Sequence, residues 1–127
     1  MASVRILLVE DDPMLRRLCS KMLEVKGYEV LMAEDGLEGL SKAQKEKPEL
    51  IILDVMLPKM DGYKVCRILK SDMRTKTIPI ILHTARMEEK PDSILKDTGA
   101  DAFVVKNSDL AELIDVLNKF SKAGSVQ

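Results

Sequence analysis

The feature that most constrains the fold is a regular alternation of short apolar runs with longer segments of helical periodicity. The runs lie at residues 4–9, 29–33, 50–54, 78–84 and 102–105. Within each run, apolar residues follow one another instead of alternating with polar ones, which is typical of parallel strands covered on both faces. The alternation therefore predicts an α/β fold, with a parallel sheet, helices on both of its sides and right-handed crossovers.

Segments with helical spacing are predicted between and after these runs, at residues 14–25, 36–46, 62–71, 91–98 and 109–121. The first has an apolar stripe made of Leu15, Leu18, Cys19, Met22 and Leu23. The second carries Leu37 and Leu40 on its apolar side. The fifth is expected to start at an N-cap formed by Ser108 or Asp109.

The composition predicts one globular domain over residues 1–121 and a tail or linker stub at residues 122–127. The chain has 127 residues, of which 46% are hydrophobic and 32% charged. Its net charge of −1 offers no basic excess for binding nucleic acid, and no apolar run approaches the roughly 18 residues of a membrane span. The N-terminus lacks a signal-peptide pattern. Cys19 and Cys66 have no metal-type spacing, so we expect buried, reduced thiols in a cytoplasmic protein.

Charged or hydroxyl side chains stand at the carboxyl ends of four predicted strands. These residues are Glu10, Asp11 and Asp12 after the first strand, Asp54 after the third, Thr84 at the end of the fourth and Lys106 after the fifth. Ligands of open α/β sheets bind beyond the carboxyl ends of the strands. Neighbouring acids repel one another and raise one another's pKa values, so this edge is expected to hold a cation.

The chemistry of this set indicates phosphoryl transfer to an aspartate. Clustered carboxylates are suited to Mg²⁺, and an Asp beside the ion can attack phosphorus as a nucleophile. Phosphoryl transfer mainly requires positioning and charge neutralisation around three oxygens. The metal could neutralise one oxygen, Lys106 a second, and the Thr84 hydroxyl could bond to the third.

Each of these residues also has a simpler interpretation when it is considered alone. Asp54 could cap a loop, and Thr84 and Lys106 could be an ordinary strand threonine and a solvated lysine. Their joint occurrence at strand ends favours the site. For Asp12 we predict the simpler role, an N-cap of the next helix with Pro13 at its first position. His83 points to the opposite face from Thr84, and we predict a structural histidine there.

In order and spacing, four motifs resemble the receiver domains of two-component response regulators. They are "ILLVEDDP", "LIILDVMLPKMDGYKV", "IPIILHTA" and "GADAFVVK", and the resemblance covers about residues 4 to 120. It implies a flavodoxin-like, doubly wound five-stranded parallel sheet of order 2-1-3-4-5 with helices on both faces. It also implies a phosphoacceptor that is modified by a histidine kinase or phosphotransfer protein and then changes its binding of a partner.

The resemblance implies a role for each matching residue. Asp54 is the phosphoacceptor, and Glu10 and Asp11 form an acidic pair in which Asp11 contacts Mg²⁺ directly and Glu10 through water. The backbone carbonyl of Met56 is a further metal ligand. Thr84, Lys106 and the backbone N–H of Ala85 bind the phosphoryl group, and Thr84 and Phe103 form the switch, although Phe103 could also be core filler. A downstream effector is expected on residues 90–97, 102–105 and 109–120, with no direct contact to nucleic acid or membrane.

Three positions near the site depart from the family pattern or vary within it. Asn107 replaces the usual proline after Lys106, and we expect a trans peptide there because a cis bond without proline costs about 3 kcal/mol. Met56 and Arg86 border the site. Met56 can cover the approach of water, and Arg86 is long enough to lie across the phosphoryl group, so slow hydrolysis is expected.

Two alternatives belong to other functional classes. One is a degenerate receiver that acts as an interaction module independently of phosphorylation. The other is a phosphatase or mutase with an aspartyl-phosphate intermediate, but such enzymes carry a second acid two residues after the nucleophile, where this chain has Met56. The interpretation we favour is a protein that catalyses its own phosphorylation and dephosphorylation, without turnover of external substrates.

Overall fold

The computed structural model describes residues 4–86, 88, 90–107 and 110–125, with side chains as far as residue 120. Strands and helices alternate along the whole described chain. The strands are β1 (Arg5–Val9), β2 (Glu29–Ala33), β3 (Leu50–Leu53), β4 (Ile80–Thr84) and β5 (Ala102–Val105). The helices are α1 (Pro13–Val25), α2 (Gly36–Glu46), α3 (Gly62–Ser71), α4 (Pro91–Thr98) and α5 (Ala111–Ser125).

The strands form one parallel sheet in the order β2-β1-β3-β4-β5. The predicted flavodoxin-like fold and its strand order are therefore confirmed. The register pairs Val9 with Leu53 and Leu53 with Leu82, so β1, β3 and β4 end close to the same level. The N–H of Asp54 donates to the carbonyl of Val9 at 3.1 Å and extends this ladder by one residue. Side chains that follow these strands consequently emerge side by side.

Both faces of the sheet are covered, which explains why the strand sequences are continuously apolar. Leu53 and Leu82 pack on the face beneath α2, α3 and α4, while Ile52 and Ile81 pack beneath α1 and α5. All four side chains are at most 1% exposed. Burying one such side chain contributes about 2 kcal/mol of stability, so the two layers hold the strand ends firmly in place.

Two leucines that helical spacing places on the apolar sides of their helices are exposed. Leu18 of α1 is 54% exposed and Leu37 of α2 is 49% exposed. In α2 the buried side consists of Gly36, Gly39 and Ala43. A Cβ atom on Gly39 would lie 2.9 Å from Cγ1 of Val9. The small residues therefore let α2 approach β1 closely, and Leu37 is left facing solvent.

The helix ends mostly agree with the predictions. Asp12 caps α1 as expected, because its Oδ1 accepts from the N–H of Met14 at 3.0 Å and Pro13 takes the first position. The N-cap expected at Ser108 or Asp109 lies outside the described residues. Helix α5 continues to residue 125 rather than 121. No described helix is long and apolar enough to cross a membrane.

Cys19 and Cys66 are buried free thiols, as the helix pattern predicted. They lie on opposite faces of the sheet, in the two separate layers of the core. Burial raises the pKa of each thiol to about 11. Both cysteines therefore remain protonated near neutral pH and behave as small apolar side chains.

Candidate functional site

Three carboxylates converge at the carboxyl ends of β1 and β3. Ligand oxygens of Glu10, Asp11 and Asp54 all lie within 4.8 Å of one another. Glu10 is 3% exposed and Asp54 is 4% exposed, whereas Asp11 faces solvent. The cluster is thus buried at its base and open on the side of Asp11. A set of oxygen donors with one open side suits Mg²⁺, which usually keeps several of its waters.

Lys106 lies between two of these carboxylates. Its Nζ is 2.9 Å from Oδ2 of Asp54 and 2.8 Å from Oε1 of Glu10. The backbone N–H of Lys106 donates to the carbonyl of Thr84 at 2.8 Å, which continues the pairing of β4 with β5. The peptide bond to Asn107 is trans, as expected. Asn107 in place of proline therefore leaves Lys106 directed at the acids.

The electrostatics of the site leave an excess of buried negative charge. Burial raises the pKa of Glu10 above its ordinary value and the Asp54 carboxylate adds to the effect, although hydrogen bonds from Lys106 and the Asp12 N–H oppose it. For Lys106, burial disfavours the charge, but the two carboxylates outweigh it and raise its pKa. One ammonium thus faces two buried carboxylates and an exposed one, and a divalent cation would relieve the remaining repulsion.

The segment between β3 and α3 fixes the direction of Asp54. Oδ1 of Asp54 accepts from the N–H of Met56 at 3.2 Å. The N–H of Gly62 donates to the carbonyl of Val55 at 2.8 Å. A Cβ atom on Gly62 would lie 2.0 Å from the backbone oxygen of Asp54, so only glycine permits this approach. Met56 is itself 60% exposed, and its backbone lies beside the carboxylate through the hydrogen bond to Oδ1.

Thr84 and Phe103 share one face of the sheet on neighbouring strands. Phe103 pairs in register with Leu82, and Thr84 follows Leu82 by two residues, so the three side chains point to the same side. Thr84 is fully buried, and its Oγ1 accepts from the N–H of Arg86 at 3.1 Å. Phe103 is half-buried against the core layer beneath α3 and α4. Ala85, the next residue after Thr84, is exposed.

His83 lies on the opposite face from Thr84, as alternation along the strand predicts. It is 3% exposed. Burial lowers its pKa to about 4, and the charge of Lys106 acts in the same direction. The ring is therefore neutral near pH 7, which fits the structural role predicted for it.

The structure also reveals a group that the sequence patterns did not predict. Nε of Arg86 lies 3.2 Å from Oε2 of Glu88, and the same oxygen accepts from the hydroxyl of Tyr63 at 2.6 Å. The Arg86 guanidinium carbon is 5.6 Å from the centroid of the Tyr63 ring. In this structure the Arg86 guanidinium is bound to Glu88, and its predicted position across the phosphoryl group stays a prediction. Helical periodicity cannot predict this contact, because the contact joins α3 to a loop that is distant in the sequence.

Comparison with known proteins gives a match over most of the chain. The family model described as the response regulator receiver domain matches residues 6–118. The DNA-binding dual master transcriptional regulator RpaA of Synechocystis is 42% identical over 87% of this chain and 46% of its own length. The alkaline phosphatase synthesis regulator PhoP of Bacillus subtilis is 43% identical over 80% of this chain and 42% of its own length. The chain spans about half the length of these curated relatives.

Solved structures match the fold closely. Chemotaxis protein CheY4 of Vibrio cholerae has a TM-score of 0.85 and 32% identity, covering 94% of this chain and 99% of that one. Response regulator TrrA of Thermotoga maritima, solved in complex with Mg²⁺ and BeF, has a TM-score of 0.82 and 34% identity. That match covers 91% of this chain and 97% of TrrA. Both similarities therefore extend over the whole α/β unit.

Proposed function

This chain belongs to the response regulator receiver domain family, and we propose that it accepts a phosphoryl group on Asp54 from a phosphohistidine of a histidine kinase or phosphotransfer protein. A carboxylate oxygen of Asp54 attacks phosphorus, the bond from phosphorus to the imidazole nitrogen breaks, an acyl phosphate forms, and the released nitrogen takes up a proton. The observation that carries the proposal is the buried Asp54 carboxylate, with Nζ of Lys106 at 2.9 Å and the oxygens of Glu10 and Asp11 within 4.8 Å.

Receiver domains generally bind Mg²⁺ at an acidic pocket, and the three carboxylates of this chain fit such an ion. We propose that Asp11, Asp54 and the backbone carbonyl of Met56 contact it directly and that Glu10 does so through water. When bound, Mg²⁺ would neutralise charge on the phosphoryl group. Lys106 would bind a second phosphoryl oxygen, since it already lies against Asp54.

The alternative of a phosphorylation-independent interaction module receives less support. A degenerate receiver needs none of Asp54, Thr84 or Lys106, yet this chain has all three at its strand ends. A conventional enzyme acting on external substrates is also less well supported, because Met56 stands where a second acid would be needed. We therefore propose chemistry confined to the phosphorylation and dephosphorylation of the chain itself.

The metal site can be tested by replacing Asp11 with asparagine. We expect Asp11→Asn to weaken Mg²⁺ binding at least about tenfold, since changes even to residues around metal ligands have effects of that size. The measurement is calorimetric titration with Mg²⁺ at fixed ionic strength. Asp12→Asn is a matched control, because it removes the same charge from the neighbouring residue, whose carboxylate caps α1.

Comparison of the two variants distinguishes a specific Mg²⁺ site from nonspecific electrostatic attraction of the ion. Clearly weaker binding by Asp11→Asn than by Asp12→Asn is the expected result. Equal losses would mean that Mg²⁺ responds only to the overall charge of this region. Unchanged binding by Asp11→Asn would refute the metal site and would favour the degenerate receiver.

We propose that Thr84 and Phe103 transmit phosphorylation to a downstream effector. A phosphoryl oxygen on Asp54 would draw the Thr84 hydroxyl toward it. The hydroxyl would then lose the hydrogen bond that it accepts from the N–H of Arg86 at 3.1 Å. Phe103, on the same face of the sheet, could then move inward. The affected surface comprises residues 90–97, 102–105 and 109–120, where we place the effector.

Crystal structures of the free chain and of its Mg²⁺–beryllofluoride adduct would test this switch. We expect the Thr84 hydroxyl to turn toward Asp54 and the Phe103 side chain to become more buried in the adduct. Thr84→Val, which keeps the shape but loses the hydroxyl, should bind beryllofluoride without moving Phe103. If Phe103 moves equally in the parent and in Thr84→Val, Thr84 is not the link between them.

Some relatives are DNA-binding regulators, but this chain carries no basic excess, with a net charge of −1. We propose that the receiver acts through protein partners and contacts neither nucleic acid nor membrane directly. A cytoplasmic location is also proposed, since Cys19 and Cys66 are free thiols and reducing compartments maintain thiols in that state.

A further inference from the structure

Tyr63, Arg86 and Glu88 form a group beside the acidic site, which we call the Tyr63 latch. Tyr63 and Arg86 line the same open groove as Asp11 and Met56. Asp11 belongs to the carboxylate cluster and Met56 donates its N–H to Asp54. The latch therefore borders the space through which a phosphoryl group and the water that removes it would reach Asp54.

Within the latch, Tyr63 is the anchor and Arg86 is the movable member. Tyr63 lies in the first turn of α3 and packs against the core. Burial raises its pKa to about 12 and the Glu88 carboxylate adds to the shift, so the hydroxyl stays protonated and donates to Oε2 of Glu88. The Glu88 side chain is 20% exposed, whereas that of Arg86 is 55% exposed. Arg86 can thus leave its partners with little rearrangement of the rest.

Arg86 is also tied to the proposed switch through its backbone. Its N–H donates to Oγ1 of Thr84 at 3.1 Å. Movement of the Thr84 hydroxyl toward a phosphoryl group would remove this acceptor, while the phosphoryl oxygens would offer new acceptors to the guanidinium. Arginine binds phosphoryl oxygens well because its donors are planar and permanently charged. Phosphorylation of Asp54 would therefore release the backbone N–H of Arg86 from Thr84 and attract the Arg86 guanidinium.

We propose that Tyr63 and Glu88 are positioning residues that hold Arg86 away from Asp54 until it is phosphorylated, and that the competition between Glu88 and the phosphoryl group for Arg86 sets the phosphoryl lifetime. This inference rests on the proposed function of Asp54. In the hydrolytic step, water attacks phosphorus, the bond from phosphorus to the Asp54 oxygen breaks, and inorganic phosphate leaves. Arg86 cannot take the proton of that water, so it shields the phosphoryl group and does not activate the water.

The test is a set of variants that weaken the latch with and without Arg86. Glu88→Gln removes the competing charge, and we expect about two- to fivefold tighter binding of beryllofluoride in excess Mg²⁺, the range of an exposed ion pair. Phosphate release after loading with acetyl phosphate should slow by a similar factor. Tyr63→Phe keeps the ring and loses the hydroxyl, and it should act in the same direction with a smaller effect. Both effects should vanish in an Arg86→Ala background, since residues in one network couple.

Glu46→Gln supplies the control. Glu46 pairs with Arg5 at 2.9 Å at the opposite end of the sheet, so this variant has the same change in charge away from the site. We expect it to leave beryllofluoride affinity unchanged. Thermal unfolding of all variants shows whether any effect comes from a change in stability.

The outcomes separate failure of the latch from failure of the phosphoacceptor. Suppose that the parent binds beryllofluoride and that Glu88→Gln alters this affinity equally with and without Arg86, or not at all. The latch is then refuted, and the role of Asp54 as phosphoacceptor is retained. If the parent binds no beryllofluoride and incorporates no phosphate, the proposed function fails, and the latch fails with it. Dependence of the Glu88 effect on Arg86 would establish the competition.

Discussion

Replacing Asp54 with alanine is expected to abolish incorporation of phosphate from acetyl phosphate. Asp54 follows β3, the central strand of the sheet, so residues from β1, β4 and β5 can surround it. Lys106 binds it from the side of β5 at 2.9 Å, and Asp11 approaches from the side of β1. Among the residues that the structure describes, no neighbouring carboxylate has this central position, and a substitute acceptor is therefore not expected.

Glu10 is the control that makes the experiment discriminating. It is buried like Asp54 and also contacts Lys106, at 2.8 Å. It follows β1, however, and its second oxygen accepts from the N–H of Asp12 at 3.1 Å. We expect Glu10→Gln to retain phosphorylation, at a reduced rate, and Asp54→Ala to lose it. Mass spectrometry of the intact protein after exposure to acetyl phosphate measures both, and phosphate on the Asp54→Ala protein would contradict the assignment.

The strands and their contribution to the site could be predicted because parallel pairing allows few alternatives. The run predicted at residues 29–33 is the observed β2, Glu29–Ala33. In a parallel sheet, neighbouring strands run in the same direction, so the polar residues at the carboxyl ends of β1, β3 and β4 had to lie at one edge of the sheet. The direction of the Lys106 side chain could not be predicted from the sequence, because Asn107 departs from the family pattern.

Helix faces and loop contacts were less predictable, for a physical reason. Apolar periodicity predicts that Leu37 lies on the buried side of α2. The helix instead packs through Gly39, which can approach the sheet closely because it has no side chain. The Tyr63 latch depends on where the loop after β4 meets α3, which no local pattern encodes. Tyr63 and Glu88 are 25 residues apart in the chain, and only the packed fold brings them into contact.

Replacing Lys106 with methionine is expected to have two opposite effects, lower stability and tighter binding of Mg²⁺. Methionine keeps most of the length of the lysine side chain and loses its charge. Glu10 and Asp54, which are 3% and 4% exposed, would then face each other without the ammonium that lies within 3 Å of both. Removing one partner of a buried charge cluster costs about 3 kcal/mol, and we expect a loss of that order in the free energy of unfolding without Mg²⁺.

The gain in Mg²⁺ affinity follows from competition, because the ammonium and the metal ion are attracted to the same oxygens. A role of Lys106 in folding alone would not strengthen metal binding. Urea denaturation with and without Mg²⁺, together with calorimetric titration, measures both effects. Lys42→Met is the matched control, since Lys42 pairs with Glu38 at 3.1 Å on the surface of α2 and exposed pairs of this kind contribute under about 1 kcal/mol.

The pH dependence of the variant gives a further check on the same mechanism. Burial already raises the pKa of Glu10 in the parent, and loss of Lys106 should raise it further. At Glu10 the folded state would then bind a proton more tightly than the unfolded state, so the stability of Lys106→Met relative to the parent should increase as the pH falls toward the ordinary pKa of a glutamate. If Lys106→Met instead loses stability relative to the parent on acidification and binds Mg²⁺ no more tightly than the parent, Lys106 does not neutralise these carboxylates, and its place in the phosphoryl site would have to be given up.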